Sequence, residues 1–330
     1  MKEEYLNSIP GIDLGAFMNG DASKRQSIAQ EVDEICREIG FLIIENHGVD
    51  SDVISRAWDI AETFFTYPDT LKIEAKSGDP GCPRGYTPLE GESLAKTRGV
   101  ETPPDLKETF SSGPLSPPAG HVPNADFHFF YGPNIWPTEP AEFQKVWTDY
   151  YLAMEALGSR IMSMLAAALG VDDDFFVSYH IHHTSALRCQ NYPKTDKPPS
   201  PGQLRAGAHT DYGSVTILKP DPAVTGLEVK SPSGNWIKAP LVKDGFIINI
   251  GDLLSHWTND RWVSTMHRVV EPEQGGAYAG AKRQSIAYFM NPNYDAVIKT
   301  IPTCLDDNGK SAYGSVLAGD YLMKKFKQSI

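Results

Sequence analysis

Cysteine is scarce and scattered in this 330-residue chain, at Cys36, Cys82, Cys189 and Cys304. No two stand at Cys-x-x-Cys spacing, so there is no zinc or iron–sulfur signature and no disulfide framework. Reduced thiols in a cytoplasmic protein are the expectation. Also missing is any unbroken run of ~18 to 20 apolar residues, the length that spans a bilayer. The opening Met1-Lys2-Glu3-Glu4-Tyr5 carries no apolar signal region, so no membrane partner is expected. An excess of positive charge is lacking too, and the formal net charge is −12. Binding to phosphate backbones needs positive charge, so this balance argues against a nucleic-acid partner. What remains is an acidic chain with 41% hydrophobic residues, ample for a core. Its length suits two domains or one β-rich domain with helical decoration.

In chain order, residues 9–14 read as a short strand. Ile28, Val32, Ile35 and Ile39 recur at three- and four-residue intervals, which predicts an amphipathic helix over 21–39. A buried strand, Phe41 to Ile44, leads into a turn at Asn46-His47-Gly48, where His47 reads as a structural residue. A second helix covers about 52–66, up to Pro68. Residues 78–137 are rich in Gly and Pro, so regular helix is not expected there. Short strands fit only around Arg84-Gly85-Tyr86 and Asp105 to Phe110. Long loops of this kind carry function disproportionately, and substrate contacts are expected here. The longest helical pattern spans 139–169 and ends at Gly170, with a short helix over 172–179 after it. His180, His182 and His183 cluster next, but without a carboxylate at ligand spacing they read as structural. From Ser185 the pattern becomes short strands: 187–192, 215–218, 227–230, 236–238, 246–250, 267–270 and 285–289. That rhythm predicts a sandwich or closed barrel flanked by helices, with a last helix over 315–327.

Within this β-rich half stands His209-Thr210-Asp211. In an extended strand, residues two apart leave the same face, so one imidazole and one carboxylate share an edge. A second imidazole from His267 completes a three-point ligand set with open positions, the arrangement a non-haem Fe(II) oxygenase uses. Two histidines and a carboxylate also suit zinc, but no His-Glu-x-x-His helix is present to supply a base. Further on, Arg283 and Ser285 are two apart in an otherwise apolar strand. A guanidinium there fits a carboxylate with a planar fork of donors, which Lys does not reproduce. Arg268, adjacent to His267, should face the other way and read as a structural, ion-paired residue.

These residues, in this order and at these separations, resemble the Fe(II)/2-oxoglutarate-dependent oxygenases of the isopenicillin N synthase-like family over nearly the whole chain. Ile9-Pro10-Gly11-Ile12-Asp13-Leu14, Gly40-Phe41-Leu42 and Asn46-His47-Gly48-Val49 are similar to its N-terminal region. Leu187-Arg188 through Asn191-Tyr192-Pro193, Gly251-Asp252, Met266-His267-Arg268-Val269 and Arg283-Gln284-Ser285 are similar to its core. The resemblance implies a mainly β fold with flanking helices, its core a distorted double-stranded β-helix, or jelly roll. An N-terminal region (1–135) and an oxygenase core (136–330) would form one compact unit. It implies Fe(II) on His209, Asp211 and His267, and 2-oxoglutarate held by Arg283 and Ser285, with Tyr192 near its other carboxylate. Gln190 stands where the family often has Asn, a longer amide for the same subsite. With O2 as the third participant, the implied reaction oxidises a small organic metabolite and releases succinate and CO2. Hydroxylation is the default outcome, with desaturation, cyclisation or demethylation as variants. Tyr86, Arg98, Phe110, Tyr212, Ser214, Phe289, Asn291 and Asn293 are the expected substrate wall. Two other readings stand beside this one: an oxidative cyclase that keeps the Arg-x-Ser pair but uses no 2-oxoglutarate, and a jelly-roll binding protein without chemistry.

Overall fold

The computed structural model describes residues 8–79, 82–99, 102–119, 125–194, 200–272 and 280–327. The first part runs β1 (Gly11–Asp13), α1 (Leu14–Asn19), α2 (Ala22–Glu38), β2 (Phe41–Glu45), α3 (Ser51–Thr66) and α4 (Asp69–Lys72). Next come β3 (Gly85–Thr87), β4 (Glu108–Ser112), α5 (Ala125–Tyr131) and the long α6 (Phe143–Leu169). The second part holds β5 (Ala186–Tyr192), β6 (Ala206–His209), β7 (Val215–Lys219), β8 (Leu227–Lys230), β9 (Trp236–Lys238) and β10 (Phe246–Ile250). It ends with α7 (Asp252–Trp257), β11 (His267–Val269), β12 (Arg283–Met290), β13 (Val297–Ile298), β14 (Val316–Leu317) and α8 (Ala318–Lys327).

Two sheets make the core, as a jelly roll requires. The larger has strand order β1-β2-β10-β7-β12-β5-β4-β3, the smaller β6-β11-β8-β9. All pairings among these strands are antiparallel except β1 with β2. Strands from the N-terminal part lie on both edges of the larger sheet, β1 and β2 on one side and β3 and β4 on the other. The two parts therefore share one hydrophobic core. Helix starts are capped as their sequences dictate. Asp21 accepts from the Lys24 N–H and Asp50 from the Asp52 N–H, each satisfying a donor that has no partner inside the helix.

Helix α6 lies against α2 and α3 and touches β12. It has the length and apolarity to cross a membrane, with a mean hydropathy of 1.4 over 18 residues, yet 56% of that stretch is buried inside the protein. The sequence does not predict the short helices α1, α4, α5 and α7, and the helix expected over 172–179 is a 3-10 turn at Val177–His180. Within the Gly/Pro-rich segment, α5 forms in the gap between Pro123 and Gly132. Its Phe127, Phe130 and Tyr131 bury against Leu322 and Met323 of α8, a tertiary contact that local composition does not register. Helix α7 is six residues long, too short for a periodic pattern to reveal.

The histidine cluster is structural, as expected. His183 Nε2 lies 2.7 Å from Glu155 Oε1, and His180 Nδ1 lies 2.9 Å from the Phe176 carbonyl. Burial pushes the His180 imidazole down to about 4. The folded chain thus resists a proton that the unfolded chain accepts below about pH 6.5. This stability is present above pH 6.5 and is lost as pH falls towards 4, by ~2–3 kcal/mol. Urea midpoints at pH 7 and pH 4.5 should show a smaller acid loss in His180→Gln than in the parent. An equal loss in both would refute the assignment.

Candidate metal centre and cosubstrate cavity

His209 ends β6 and His267 begins β11, and the two are direct cross-strand partners. Their ring centroids are 4.3 Å apart. Asp211 lies beyond the end of β6, so the expected His-x-Asp pairing on one strand face is replaced by a histidine pair across two strands. The carboxylate is delivered by the following turn. Its Oδ1 is 3.8 Å from each Nε2, too long for a hydrogen bond. The three donor atoms all fall within 4.8 Å of one another.

Outer contacts aim each donor inward. His209 Nδ1 meets the Gly207 carbonyl at 2.7 Å and His267 Nδ1 meets the Thr265 carbonyl at 3.2 Å. A carbonyl only accepts, so Nδ1 carries the proton and the Nε2 lone pair is left for a metal. Asp211 Oδ2 accepts from Thr216 Oγ1 at 2.5 Å and Asn249 Nδ2 at 2.7 Å, leaving Oδ1 to face the imidazoles. Burial, then the nearby His267, pushes the His209 pKa down, which keeps it neutral. Burial alone would raise Asp211, but His267, His209 and the hydrogen bonds from Thr216 and Asn249 outweigh it and hold the carboxylate ionised. Two imidazoles and one carboxylate are a donor set that suits Fe(II).

The turn itself is braced by Gly251-Asp252. The Asp252 N–H donates to the Asp211 carbonyl at 2.8 Å and the Leu253 N–H to the Tyr212 carbonyl at 3.1 Å. A Cβ on Gly251 would lie 2.2 Å from the Gly213 carbonyl oxygen, so only glycine lets these segments meet. The Asp252 carboxylate collects Thr210, Ser264 and Lys325, joining the turn to α8.

On the facing sheet, register assembles the second subsite. Arg283 is directly opposite Tyr192 and Ser285 directly opposite Gln190. Residues two apart share a face, so these four side chains form one patch. Arg283 is 2% exposed, and its guanidinium carbon is 4.9 Å from the Tyr192 ring centroid. Among the described residues its Nε has no hydrogen-bond partner, and Nη1 makes a 3.4 Å contact to Ser285 Oγ. A buried charge is costly unless it is paired. The guanidinium fork therefore suits an incoming carboxylate.

Comparison with known proteins agrees with this geometry. Residues 9–139 match the family described as non-haem dioxygenase in morphine synthesis N-terminal. Residues 181–292 match the 2OG-Fe(II) oxygenase superfamily. The chain is 30% identical to a validamycin A dioxygenase of Streptomyces hygroscopicus subsp. limoneus, over 96% of this chain and 86% of that protein. The chain belongs to the Fe(II)/2-oxoglutarate-dependent oxygenases. It is also 31% identical to a homoarginine-6-hydroxylase of Oryza sativa subsp. japonica, over 90% of this chain and 88% of that one. A full-length Neurospora crassa protein, solved in complex with alpha-KG and thymine, superposes with a TM-score of 0.85 at 31% identity. That alignment covers 100% of this chain and 99% of the Neurospora chain. Fe(II), 2-oxoglutarate and O2 are accordingly the participants in this oxygenase's reaction. The cyclase reading that dispenses with 2-oxoglutarate finds no support.

Both subsites open into one cavity of about 490 Å³ between the sheets. Of the expected wall residues, Tyr212, Phe289 and Asn291 line it. The others do not. Tyr86 and Phe110 are cross-strand partners on β3 and β4 whose side chains join an aromatic cluster with Phe64. Strand alternation is the reason: the next residue, Ser111, takes the cavity face. Ser214 is fully buried just before β7. Asn293 accepts from the His182 N–H and donates to the Ser178 carbonyl, which ties down a turn. Arg98 closes a 3-10 turn (Leu94–Arg98), and its side chain lies outside the described residues.

Sequence reasoning passed over other wall residues. Arg188 is two residues before Gln190 on β5, and alternation alone places it on the cavity face. Phe129 and Phe130 of α5 and Leu322 and Phe326 of α8 also line the cavity, which only the tertiary packing reveals. Arg268 turns away, as expected, bonding Glu228 through Nε at 2.8 Å. Tyr86 instead donates to Glu108 Oε2 at 2.6 Å, and Glu108 also holds Lys72 and Asn191. Tyr86→Phe should cost ~1 kcal/mol of stability and leave the KM for 2-oxoglutarate within about twofold. Urea unfolding and a succinate assay check both halves.

Proposed function

We propose that this oxygenase oxidises a small organic molecule in the cavity between its sheets. His209, Asp211 and His267 hold the iron, and Arg283, Ser285, Tyr192 and Gln190 hold 2-oxoglutarate. The observation that carries this reading is the pairing of two half-built sites in one cavity. One is a metal triad with its lone pairs converged; the other is a buried guanidinium whose Nε has no partner among the described residues. When bound, iron with the 2-oxo acid and O2 supplies an oxidant able to attack an unactivated C–H bond. The chain's own residues do the placing. Arg283 and Ser285 take the distal carboxylate, and Tyr192 holds the cosubstrate near its other carboxylate.

A relative named for validamycin A, one named for homoarginine and a structure bound to thymine support a small organic molecule, such as one from specialised metabolism. A formal charge of −12 supports a substrate other than nucleic acid. Burial of α6 supports action away from a membrane, and the free cysteines support a cytoplasmic setting. Residues 1–135 contribute wall and 136–330 contribute both subsites, so the two act as one unit. Hydroxylation is the expected outcome. The test is succinate release by the Fe(II)-loaded protein across a small-molecule library. Stimulation by polypeptides or nucleic acids alone, or none without a protein partner, would overturn the reading.

A further inference from the structure

The cavity charges do not balance at one position. Arg188 bonds Glu92 at 3.0 and 3.1 Å, and Lys107 lies 3.5 Å from Glu92 and 3.2 Å from Asp105. These two cations and two anions compensate one another. Arg283 faces the cosubstrate carboxylate. Glu90 and Lys96, at the rim, are exposed and opposite in sign.

Arg84 is left over. It lies on the cavity wall beside Cys82 and Ser111, and only 5% of it is exposed. Among the described residues no carboxylate pairs with it. Its Nη1 donates to the Pro83 carbonyl at 3.3 Å, its Nη2 donates to the Phe130 carbonyl at 2.5 Å, and Nε has no partner. Burial weighs most against its charge, Cys82 and Tyr151 offset part of that, and Arg188 adds repulsion. The guanidinium lies across Gly113, where a Cβ would come within 2.0 Å of Nη2. Asn134 clamps that glycine, accepting from its N–H at 2.7 Å. A glycine thus makes room for a buried cation that nothing in the described chain neutralises. Arginine stays protonated under all ordinary conditions, and a buried charge without a counterion is unfavourable.

We infer that Arg84 is the recognition residue for a carboxylate on the substrate. The inference rests on the oxygenase reading and narrows its substrate to a small acid, carrying one negative charge at the end of the cavity bounded by Arg84 and Phe130. The planar guanidinium offers unused donors that a carboxylate can accept side by side. Phe129 and Phe130 of α5, with Leu322 and Phe326 of α8, supply an apolar surface for the body of such a molecule.

The probes are matched pairs: benzoate, phenylacetate and cyclohexanecarboxylate with their primary amides. Each is titrated calorimetrically under argon into protein loaded with Fe(II) and saturating 2-oxoglutarate, so that acids do not occupy the Arg283 subsite. Acids should bind the parent about ten- to a hundredfold more tightly than their amides. Arg84→Gln should bring each pair to within about twofold, and Arg84→Lys should restore part of the preference. Equal affinities in the parent, no acid binding, or an acid preference that survives in Arg84→Gln would overturn the inference. Even if a variant fails to fold, equal affinities for acid and amide in the parent overturn the inference. Succinate formation by the parent tests the oxygenase reading separately.

Discussion

Asp211→Ala should abolish stoichiometric Fe(II) binding and lower succinate formation by on the order of a thousandfold or more. A metal contributes several kcal/mol of charge stabilisation, at 1.36 kcal/mol per tenfold in rate. Asp211 is the one anion of the triad, and its Oδ1 is equidistant from the two Nε2 atoms at 3.8 Å. Without it, two imidazoles remain to hold a doubly charged ion. The substitution also strips Thr216 and Asn249 of their shared acceptor, and each buried orphan costs ~1–3 kcal/mol. Lost activity alone would therefore be ambiguous between a lost metal and a damaged fold. Asn249→Ala separates the two. It keeps every ligand while freeing Asp211 to rotate, and it should weaken Fe(II) binding about 10- to 100-fold. Anaerobic Fe(II) titration of both variants, alongside their melting temperatures, reads out the difference. Retention of one tightly bound Fe(II) by Asp211→Ala would sink the ligand assignment.

The metal triad and the Arg-x-Ser pair were legible because their chemistry depends on residue type and order, which a sequence displays directly. Even there, the geometry differs from the simplest reading. His209 is matched to His267 across strands, while Asp211 arrives from a turn whose shape is set by Gly251 and Asp252. The N-terminal strands were visible too, but not their placement on both edges of one sheet, because hydrogen-bonding partners leave no local pattern. The substrate wall was the least legible. Tyr86 and Phe110 stand beside Thr87 and Ser111 in sequence, yet strand parity sends the aromatic pair into the core and leaves Thr87 and Ser111 at the cavity. A shift of one residue exchanges the two faces. Helices α5 and α8 form their own small apolar cluster and wall the cavity together. Each is unremarkable alone, and the function of the pair exists only in their contact.

Arg283→Gln should raise the KM for 2-oxoglutarate about 100-fold while changing the rate at saturating cosubstrate far less. In the folded protein this guanidinium is almost fully buried, with no partner for Nε among the described residues and one long contact to Ser285. Its binding capacity is therefore held for the ligand. A charge-assisted hydrogen bond contributes ~1.5–3 kcal/mol, and a bidentate pair makes two; because glutamine keeps one donor, a loss of about 100-fold, or ~2.7 kcal/mol, is expected. Glutamine keeps a donor but has neither the charge nor the fork. Lysine keeps the charge without the fork, and Arg283→Lys should fall between the two, at about tenfold. Ser285→Ala removes the neutral neighbour and should cost only a fewfold, because an uncharged hydrogen bond contributes ~1 kcal/mol. The graded order of Gln, Lys and Ala distinguishes carboxylate recognition from a structural role. If Arg283 only held β12 against β5, all three variants would lose stability together and no order in KM would follow. Initial rates of succinate formation at several 2-oxoglutarate concentrations, with unfolding midpoints for each variant, decide between these outcomes.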